Sequence, residues 1–595
     1  MIRSLVLTAL LALICSSIFV VGHFDVHPLS KIHLQNIVKK FDGGNIKIDA
    51  PIIRGMGEVV NISYSGLSSK YPGNKDWIGV WSPKPVNGNY SAMSATKYIY
   101  VTPDASGSGQ IPLWLLNMRD SVMVAYFTGG LKTPVMLAES ESVNFENTAL
   151  PMHIHLALTG NPTEMRVDWT SAQDSSKQMF LHYGERPNNL THSVKHVSTT
   201  TYTAADMCGA PATTIGYRSP GFLHSALIEN LRPNTEYFYQ VGDSTPNSVS
   251  RVLNFFSPPR PEADNVEFVI FGDLGQVETD GSNEASQMEG SILTTVALNK
   301  DIAKGRVNLA ASAAVFHIGD ISYARGYATL WEQFFYQISG MTPHLPWMTV
   351  DGNHERDFPG SGSLFNGTDS GGECGVALEN RFKMPKAQMP STAATVSYND
   401  TTWWSVNFGP VHFTVISTEH SFDPNSPQYS WIMQDLAQVD RSKTPFLVLA
   451  GHRPIYIDST NDDPNGGDLS VGQALIDYIE PLMIKYKVDV TFFGHHHSYQ
   501  RTCPLQNFTC VSDSSAPIHI VTGAAGAGFS TNLQPTLPHW INFITDDTHG
   551  YVIGRVHERQ TLTFDFINAN NNSIMDSVTI KNKFSASQVK IAAKY

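Results

Sequence analysis

Five short apolar segments between residues 266 and 493 constrain the fold of this 595-residue chain more than any other feature. Predominantly apolar runs of this length are expected of strands that are buried on both faces of a sheet. Helical stretches are predicted between them at 287–303, 330–337 and 469–486, and 405–408 with 411–417 predicts a β-hairpin. Strands that alternate with helices predict an α/β domain. The five segments are Val266–Phe271, 314–318, Trp347–Val350, Phe446–Ala450 and 488–493, and later strands are predicted at 551–556 and 561–567.

Each of these five segments is followed within two residues by a glycine and then by polar residues. Because ligands bind beyond the carboxyl ends of strands in open α/β sheets, we expect these polar residues to meet at one edge. Residues i and i+2 of an extended loop share a face, so His495 and His497 can point into one site while His496 points away. Oxygen donors mixed with imidazoles suit a pair of transition-metal ions better than calcium. The polar residues are Asp273, Asp320, Tyr323, Asn353, His354, His452, Arg453, His495, His496 and His497.

The residues before this domain follow a different pattern, with short alternating segments broken by turn residues. Between 23 and 150 this spacing, without helical periodicity, predicts a β-sandwich. Between 151 and 257 a second sandwich is predicted, in which Met165, Val167 and Trp169 alternate with polar residues. Its segment 231–241 resembles the corner and strand of fibronectin type III domains. A proline-rich linker at 257–261 then leads into the α/β domain, which we place at 262–580.

The N-terminus has the build of a secretory signal peptide, with Arg3 ahead of an apolar run at 5–21. We expect residues 1–22 to be removed by cleavage after Gly22, with Ser17 as a second candidate position. The alternative is an uncleaved membrane anchor, because the run is near the lower limit for a span. We expect the processed chain to be secreted or vacuolar and not held in a membrane. Seven sequons are candidate glycosylation sites: Asn61, Asn89, Asn189, Asn366, Asn399, Asn507 and Asn571.

Four cysteines remain when Cys15 is assigned to the signal segment. An even number in an oxidising compartment predicts two disulfides. Cys503 and Cys510 enclose a short loop and are the natural pair, which leaves Cys208 with Cys374. The second bridge would tie the middle domain to the C-terminal one. A metal site made of cysteines is the weaker alternative, since the chain has no Cys-x-x-Cys.

Composition limits the classes of function. With 42% hydrophobic and 16% charged residues, the chain can bury large cores and is not mainly disordered. Its 40 Lys+Arg and 53 Asp+Glu give a net charge of −13, which argues against a nucleic-acid polymer as partner. Small phosphorylated substrates are not excluded, because a buried metal ion attracts phosphate whatever the overall charge.

In order along the chain, the segments GDLG, GDISY, GNHE, GHR and GHHH resemble those of the purple acid phosphatases, which are calcineurin-like metallophosphoesterases. The resemblance covers nearly all of the chain after residue 22. It is closest to the large plant-type members with an extra N-terminal β domain, and it includes DWIGVWSP, MCGAPA, DSGGECGV and YQRTCP. It implies two β-sandwich domains followed by a four-layer α/β/β/α domain.

The resemblance also implies a centre with two metal ions that share one carboxylate. For iron(III), the ligands would be Asp273, Asp320, Tyr323 and His497. For a divalent ion (zinc, manganese or iron), they would be Asp320, Asn353, His452 and His495. Gly275 stands where many relatives have a histidine ligand, and Tyr323 resembles the substitute donor.

Two metal ions about 3.5–4 Å apart can hold a phosphoryl group and generate hydroxide, and a trivalent ion should extend this chemistry into acid. By resemblance, His354 is the candidate donor to the leaving oxygen, and a hydrogen bond to a ligand is its alternative role. Asn353, His420, Arg453 and Tyr456 are further candidates for substrate contact.

One part of the family pattern is missing. The well-known plant enzymes carry a His-His pair soon after the ligand that corresponds to His452, whereas residues 456–463 contain no histidine. A cationic wall for the phosphate is therefore missing or supplied from elsewhere, which leaves substrate range and turnover open. We expect a phosphate monoesterase, with a nucleotide pyrophosphatase or phosphodiesterase as the alternative.

A third hypothesis is a weakly active, metal-bearing glycoprotein that binds phosphate or partners through its β domains. With both disulfides formed, we expect a monomer or a noncovalent homodimer.

Overall fold

The computed structural model describes residues 26–41, 43–67, 75–174, 176–285, 288–311, 313–387, 402–512 and 515–584. The expected signal segment lies outside these ranges, so its cleavage stays a prediction. Within them, no helix combines the length and the apolar character needed to cross a membrane. The described sheets build two β-sandwiches and one four-layer domain, which confirms the predicted fold class.

The first sandwich packs a five-stranded sheet against a three-stranded sheet. Ile62 and Leu113 of the smaller sheet and Val80 of the larger one are buried in the core between them. In spatial order, the strands of the larger sheet are Val38–Lys39, Val135–Glu139, Met123–Thr128, Asp76–Trp81 and Lys97–Val101. Those of the smaller sheet are Asn45–Ile48, Gly57–Ser65 and Gly109–Leu116.

The second sandwich consists of two four-stranded sheets. Val167 and Trp169 are buried in its core, as their alternation with polar residues predicts. The hydroxyl of Tyr237 accepts a hydrogen bond from the N–H of Arg232 at 3.1 Å, a tyrosine corner typical of such sandwiches. One sheet is Val197–Thr200, Phe222–Ile228, Met165–Ser171 and Met152–Ala157. The other is His192–Ser193, Met179–Gly184, Glu236–Asp243 and Leu253–Phe256.

Two larger sheets face each other in the C-terminal domain, and Phe268, Phe316, Phe413 and Phe564 fill the core between them. Each sheet contains a block of parallel strands, so the carboxyl ends of these strands share an edge. The first sheet runs Trp347–Val350, Ala313–Ile318, Val266–Phe271, Gly550–His557, Thr561–Asn568 and Ile574–Lys581. The second runs Trp404–Phe408, Val411–Val415, Phe446–Ala450, Val490–Phe493, Ile518–Thr522, Tyr499–Gln506 and Thr509–Cys510, with Ile541–Thr545 beside Tyr499–Gln506.

Helices cover the outer face of each sheet and complete the four layers. Glu289–Ala303 and Thr329–Ile338 pack on the first sheet, and Pro427–Gln438, Asp468–Tyr478 and Glu480–Tyr486 pack on the second. Two shorter helices are Asn353–Arg356 and Val376–Arg381. The 3₁₀ helices are Pro28–Lys31, Leu34–Asn36, Val86–Gly88, Tyr90–Ala92, Ala204–Asp206 and Leu309–Ala311.

The structure differs from the prediction in one broken helix and in several elements that are not predicted: the helix Pro427–Gln438 and the strands Tyr499–Gln506, Ile518–Thr522, Ile541–Thr545 and Ile574–Lys581. The single helix expected at 469–486 is broken at Ile479, because Pro481 in the first turn of the following helix has no N–H to donate. The edge strand Ile574–Lys581 is not predicted, because it buries few of its side chains.

Both predicted disulfides are present, Cys208–Cys374 and Cys503–Cys510. The first joins the second sandwich to the C-terminal domain, and the alternative of a cysteine metal site is wrong. Asn399 lies outside the described residues, and glycosylation stays a prediction. The asparagines of the other six sequons are exposed: Asn61, Asn89, Asn189, Asn366, Asn507 and Asn571.

Candidate metal centre

The loops that follow five parallel strands meet at one edge of the two facing sheets. Three of these strands belong to the first sheet and two to the second. Donor atoms from the loops form two groups, within each of which they lie within 4.8 Å of one another. One group is Asp273, Asp320 and His497, and the other is Asp320, His452 and His495. Because Asp320 belongs to both, its carboxylate is placed to bridge two cations.

A tyrosine extends the first group. Oη of Tyr323 lies 3.1 Å from Oδ1 of Asp273 and 2.9 Å from Nε2 of His497. The same Nε2 lies 3.4 Å from Oδ1 of Asp273. With Asp320, the group offers two carboxylates, one phenol and one imidazole, a largely anionic oxygen set that suits iron(III).

An amide oxygen extends the second group. Oδ1 of Asn353 lies 3.1 Å from Nε2 of His452 and 2.9 Å from Nδ1 of His495. Nε2 of His452 is also 3.2 Å from Oδ1 of Asp320. Two neutral imidazoles, an amide and one carboxylate suit a divalent ion such as zinc.

Two backbone carbonyls fix the orientation of two of the histidines. Nδ1 of His452 donates to the carbonyl of Ile318 at 3.0 Å, and Nδ1 of His497 donates to that of Gly528 at 2.5 Å. Each ring therefore turns Nε2 toward the carboxylates, as a metal ligand must. A backbone carbonyl carries no side-chain signal, so sequence reasoning misses both partners.

Two further carboxylates orient the remaining ligands. Nδ2 of Asn353 donates to Oδ2 of Asp369 at 2.9 Å, which leaves Oδ1 of Asn353 facing the site. Nε2 of His495 lies 3.3 Å from Nη1 of Arg453 and 3.5 Å from Oδ1 of Asp468, and Nδ1 is the ring nitrogen that faces Asn353. Neither aspartate follows a strand of the predicted sheet, which is why the sequence does not single them out.

Four of the seven candidate ligands have left-handed backbone conformations, which cost residues with a side chain about 1–2 kcal/mol each. Strain of this kind clusters at functional sites, where the surrounding structure holds it in place. The N–H of His495 donates to Oδ2 of Asp273 at 2.9 Å, and that of His354 donates to Oδ1 of Asp320 at 3.0 Å. The four are Asp273 (φ 63°), Asp320 (φ 50°), Tyr323 (φ 51°) and His495 (φ 67°).

Two glycines allow the loops to approach the carboxylates. A Cβ atom at Gly352 would lie 2.3 Å from Oδ1 of Asp320, and one at Gly494 would lie 2.5 Å from Oδ2 of Asp273. Both distances are shorter than real carbon atoms tolerate, so a side chain at either position would displace a ligand.

Gly275 faces the ring of Tyr323. Its φ is 65°, and a Cβ atom there would lie 2.6 Å from Sδ of Met288 and 3.2 Å from Cδ2 of Tyr323. The tyrosine ring therefore fills space beside the position where a histidine is expected in many relatives.

The charges of the site favour cations. Burial and the carboxylates of Asp273 and Asp320 raise the pKa of Tyr323 well above the usual phenol value. Although burial opposes it, Asp320 raises the pKa of His452 to about 10. Both shifts show that the electrostatic potential of this buried site is negative. A negative potential favours the binding of metal ions, and a bound ion would reverse the two pKa shifts.

His354 lies beside the bridging carboxylate. Its ring centre is 4.4 Å from that of Tyr323, and its Nε2 is 3.9 Å from Oδ2 of Asp320. Nδ1 lies 3.2 Å from the carbonyl of Asp369, to which it can donate. Nε2 is therefore the ring nitrogen that faces the candidate metal ligands.

Arg453 is buried and surrounded by acceptors. Its Nε donates to both carboxylate oxygens of Glu419 at 3.0 Å, Nη2 to Oδ2 of Asp357 at 2.8 Å and Nη1 to the carbonyl of Gly466 at 2.7 Å. The guanidinium also lies 4.3 Å from the ring centre of Phe365. These contacts argue against the predicted substrate contact, and Arg453 instead ties its own loop to the loop that carries His354.

Tyr456 and His420 differ in their surroundings. Tyr456 is 2% exposed in the core, and its hydroxyl donates to Glu480 at 2.5 Å, which argues against the predicted substrate contact. Nδ1 of His420 lies 2.8 Å from Oγ of Ser417 and 3.4 Å from Oδ2 of Asp351. Because Asp351 is two residues from Asn353, His420 stays a candidate.

The segment without the His-His pair folds over the second sheet. Asp458 is buried and accepts a hydrogen bond from the N–H of Gln534 at 3.1 Å. Asn461, Asp462 and Asp463 are exposed. This stretch therefore offers no cationic side chain to a phosphate group.

Four family models match the chain and together cover most of it. They are "Fn3-like domain from Purple Acid Phosphatase" at 54–147, "Purple acid Phosphatase, N-terminal domain" at 151–257, "Calcineurin-like phosphoesterase" at 266–499 and "Iron/zinc purple acid phosphatase-like protein C" at 516–577.

Individual relatives agree with these models. The chain is 35% identical over 547 residues to "Probable inactive purple acid phosphatase 27" of Arabidopsis thaliana, covering 86% of this chain and 85% of the relative. It is 32% identical over 341 residues to a nucleotide pyrophosphatase/phosphodiesterase of Hordeum vulgare, covering 56% and 87% respectively.

Among solved structures, the purple acid phosphatase PPD1 from yellow lupin (Lupinus luteus) superposes with a TM-score of 0.82 and 31% identity, over 91% of this chain and 97% of that one. The likeness thus extends through both sandwiches and the domain that carries the two groups of donors, and the chain belongs to the purple acid phosphatase family.

Proposed function

We propose that this protein is an acid phosphatase that hydrolyses phosphate monoesters at a centre of iron(III) and a divalent ion. The observation that carries the proposal is the shared carboxylate of Asp320, which belongs to two groups of donors at once. When bound, such a pair of ions supplies an activated water and holds the phosphoryl oxygens.

Each of the surrounding side chains would have a separate role in this reaction. The carboxylate of Asp320 would be shared by both ions, Tyr323 and Asp273 would supply negative charge to the trivalent ion, and Asn353 would offer its amide oxygen to the divalent ion. Nδ1 of His354 donates to the carbonyl of Asp369, so Nε2 faces the site and would carry a proton for the leaving oxygen only in the imidazolium form, with both ring nitrogens protonated. Burial of these groups excludes water and strengthens their electrostatic interactions.

A second candidate is cleavage of pyrophosphate or phosphodiester bonds of nucleotides at the same site. It is favoured by the barley relative, which carries the name of that activity. A third candidate, a metal-bearing glycoprotein with little activity, is favoured by the Arabidopsis relative named as probably inactive and by the exposed acidic stretch at 461–463.

Turnover of three substrates at pH 5 separates these candidates when the visible spectrum is recorded on the same sample. Colour with hydrolysis of p-nitrophenyl phosphate supports the monoesterase. Colour with cleavage of only bis(p-nitrophenyl) phosphate or ATP supports the second candidate, and colour without turnover supports the third. Asp320→Asn should abolish both metal retention and activity, whereas Asp440→Asn, a control on the exposed surface, should change neither.

We further propose passage through the secretory pathway to the cell exterior or the vacuole. The two disulfides and the six exposed sequon asparagines support it. Because both disulfides lie within the chain, a homodimer would be noncovalent. N-terminal sequencing of material from a eukaryotic host should begin near His23, and endoglycosidase treatment should lower its mass. Retention of Met1 and an unchanged mass would contradict the proposal.

A further inference from the structure

The first β-sandwich contacts the loop that leads away from the metal ligand Asp273. Lys97 begins the strand Lys97–Val101 of that sandwich, and its side chain is only 5% exposed. Its Nζ bonds the carboxylates of Glu278 and Asp280, the latter at 2.6 Å. Both carboxylates belong to the segment 276–285 of the C-terminal domain, so a buried ion cluster joins the first sandwich to the C-terminal domain.

Backbone bonds reinforce this contact. Tyr98, next to Lys97, exchanges two hydrogen bonds with Asn283, from its N–H at 3.2 Å and to its carbonyl at 2.7 Å. Oδ2 of Asp280 also accepts from the N–H of Trp114 in the same sandwich at 2.9 Å. The segment is therefore held by the sandwich at three successive points.

The segment is also tied to itself. Oε1 of Glu284 accepts from the N–H of Glu278 at 2.9 Å, and its other oxygen accepts from the hydroxyl of Ser282 at 3.0 Å. A displacement of Glu278 or Asp280 should therefore also displace both ends of the segment.

The two ends of the segment support the tyrosine of the metal centre. Val277 and Ala285 pack against the small apolar cluster made by Met288, Tyr323 and Ala527. Val277 is next to Glu278, and Ala285 is next to Glu284. The apolar cluster that contains Tyr323 thus packs against two residues that are adjacent to the carboxylates held by Lys97 and by the segment itself.

The charges of the cluster suit an acidic environment. Although burial opposes it, Lys97 holds the pKa of Asp280 at about 2, so these two form an ion pair. Burial raises the pKa of Glu278 to about 8 and that of Glu284 to about 7, so both are neutral in acid. One cation then faces one anion, with two neutral carboxyl groups around them.

We propose that Lys97 is a positioning residue for the metal centre, through which the first sandwich holds the segment 276–285 against the ring of Tyr323. The inference rests on the proposed binding of iron(III) by Tyr323. It gives the extra β domain a part in the reaction, because the iron-binding phenol would be set in place by a residue more than 200 positions away in sequence from it.

The test uses the full-length protein with Lys97→Met, and Lys84→Met as the matched control. Lys84 lies in the same sandwich and forms an ion pair within it, with Glu139 at 3.4 Å. Hydrogen exchange is measured in chelator-treated protein for peptides covering 276–285 and 321–325, and the visible band is recorded after iron(III) loading. In Lys97→Met we expect exchange of both peptides to rise by about tenfold or more, with a shifted band and lower iron retention. Lys84→Met should match the wild type.

A charge-matched variant separates positioning from simple burial of unpaired charge. The triple variant Lys97→Met, Glu278→Gln and Asp280→Asn removes these three ionisable side chains at once. Because no buried charge is then left without a partner, its stability should return to that of the wild type. The proposal requires that this variant keep the faster exchange and the shifted band. Wild-type exchange and band in this variant would overturn it.

Two other results would also overturn the inference: unchanged exchange of 276–285 in Lys97→Met, or faster exchange there with unchanged exchange at 321–325. A wild-type protein that takes up no iron would instead contradict the proposed function. In that case the exchange of 321–325 alone decides whether Lys97 positions Tyr323.

Discussion

Oη of Tyr323 lies 2.9 Å from Nε2 of His497, although the two residues are 174 positions apart and follow strands of different sheets. The proposed site for iron(III) therefore exists only where the two sheets of the C-terminal domain pack face to face. Binding of the metal ion should in turn stabilise that packing, because a ligand that binds only the folded state stabilises it.

Tyr323→Phe removes the phenol but keeps the ring in the apolar cluster with Met288. We expect loss of the visible absorption band and weaker iron retention, because the band requires a phenolate bound to iron(III). Absorption spectra of purified protein check this. Tyr456→Phe is the control, since Tyr456 lies in the core, and a Tyr323→Phe protein that stays coloured would refute the assignment.

The three successive histidines give a second test. His497→Ala should weaken iron retention by more than about tenfold, because it removes a ligand. His496→Ala should retain iron, because the ring of His496 faces Ser498 and Asn532 instead, at 2.7 and 3.1 Å. This arrangement confirms the predicted alternation of the three side chains. Equal loss of iron in both variants would show that any substitution in this loop weakens iron binding, and it would contradict a specific role of His497 as a ligand.

Arg453 tests the correction to its predicted role. Arg453→Met should lower the free energy of unfolding by about 3–5 kcal/mol, because it leaves Glu419 and Asp357 buried without their partner. Urea unfolding measures this, and Glu419→Gln in the same chain should restore part of the loss. If stability stayed unchanged while KM for p-nitrophenyl phosphate rose, direct substrate contact would be the correct role after all.

Glu373 should make stability depend on pH. Burial raises its pKa from 4.5 to about 7, although Trp331 and Gly326 donate hydrogen bonds to its oxygens at 2.8 and 3.0 Å. The folded state then holds a proton that the unfolded state has lost, so this stability is present below pH 4.5 and disappears as the pH rises through 7.

The difference in unfolding free energy between wild type and Glu373→Gln should therefore fall by on the order of 3 kcal/mol from pH 4.5 to 7 and then level off. Comparing two variants cancels the contribution of the other titrating groups. A difference that stays constant across this range would show that the carboxyl titrates normally.

The five strands and their loops could be predicted because each produces a pattern in consecutive residues. A strand buried on both faces is a short apolar run, and the polar turn after it follows a glycine. Asp273 and His497 are found this way. The carbonyls of Ile318 and Gly528 could not be, because a carbonyl is the same at every position. The roles of Arg453 and Lys97 depend on which loops and domains meet, and only the packed structure gives that.

Metal quantification on purified, processed protein tests the central claim most directly. Wild type should contain one iron(III) ion and one divalent ion per chain. Asp320→Ala should lose both ions while its far-UV circular dichroism is unchanged. A folded wild-type protein without stoichiometric iron, or an Asp320→Ala protein that keeps both ions, would contradict a bridged centre.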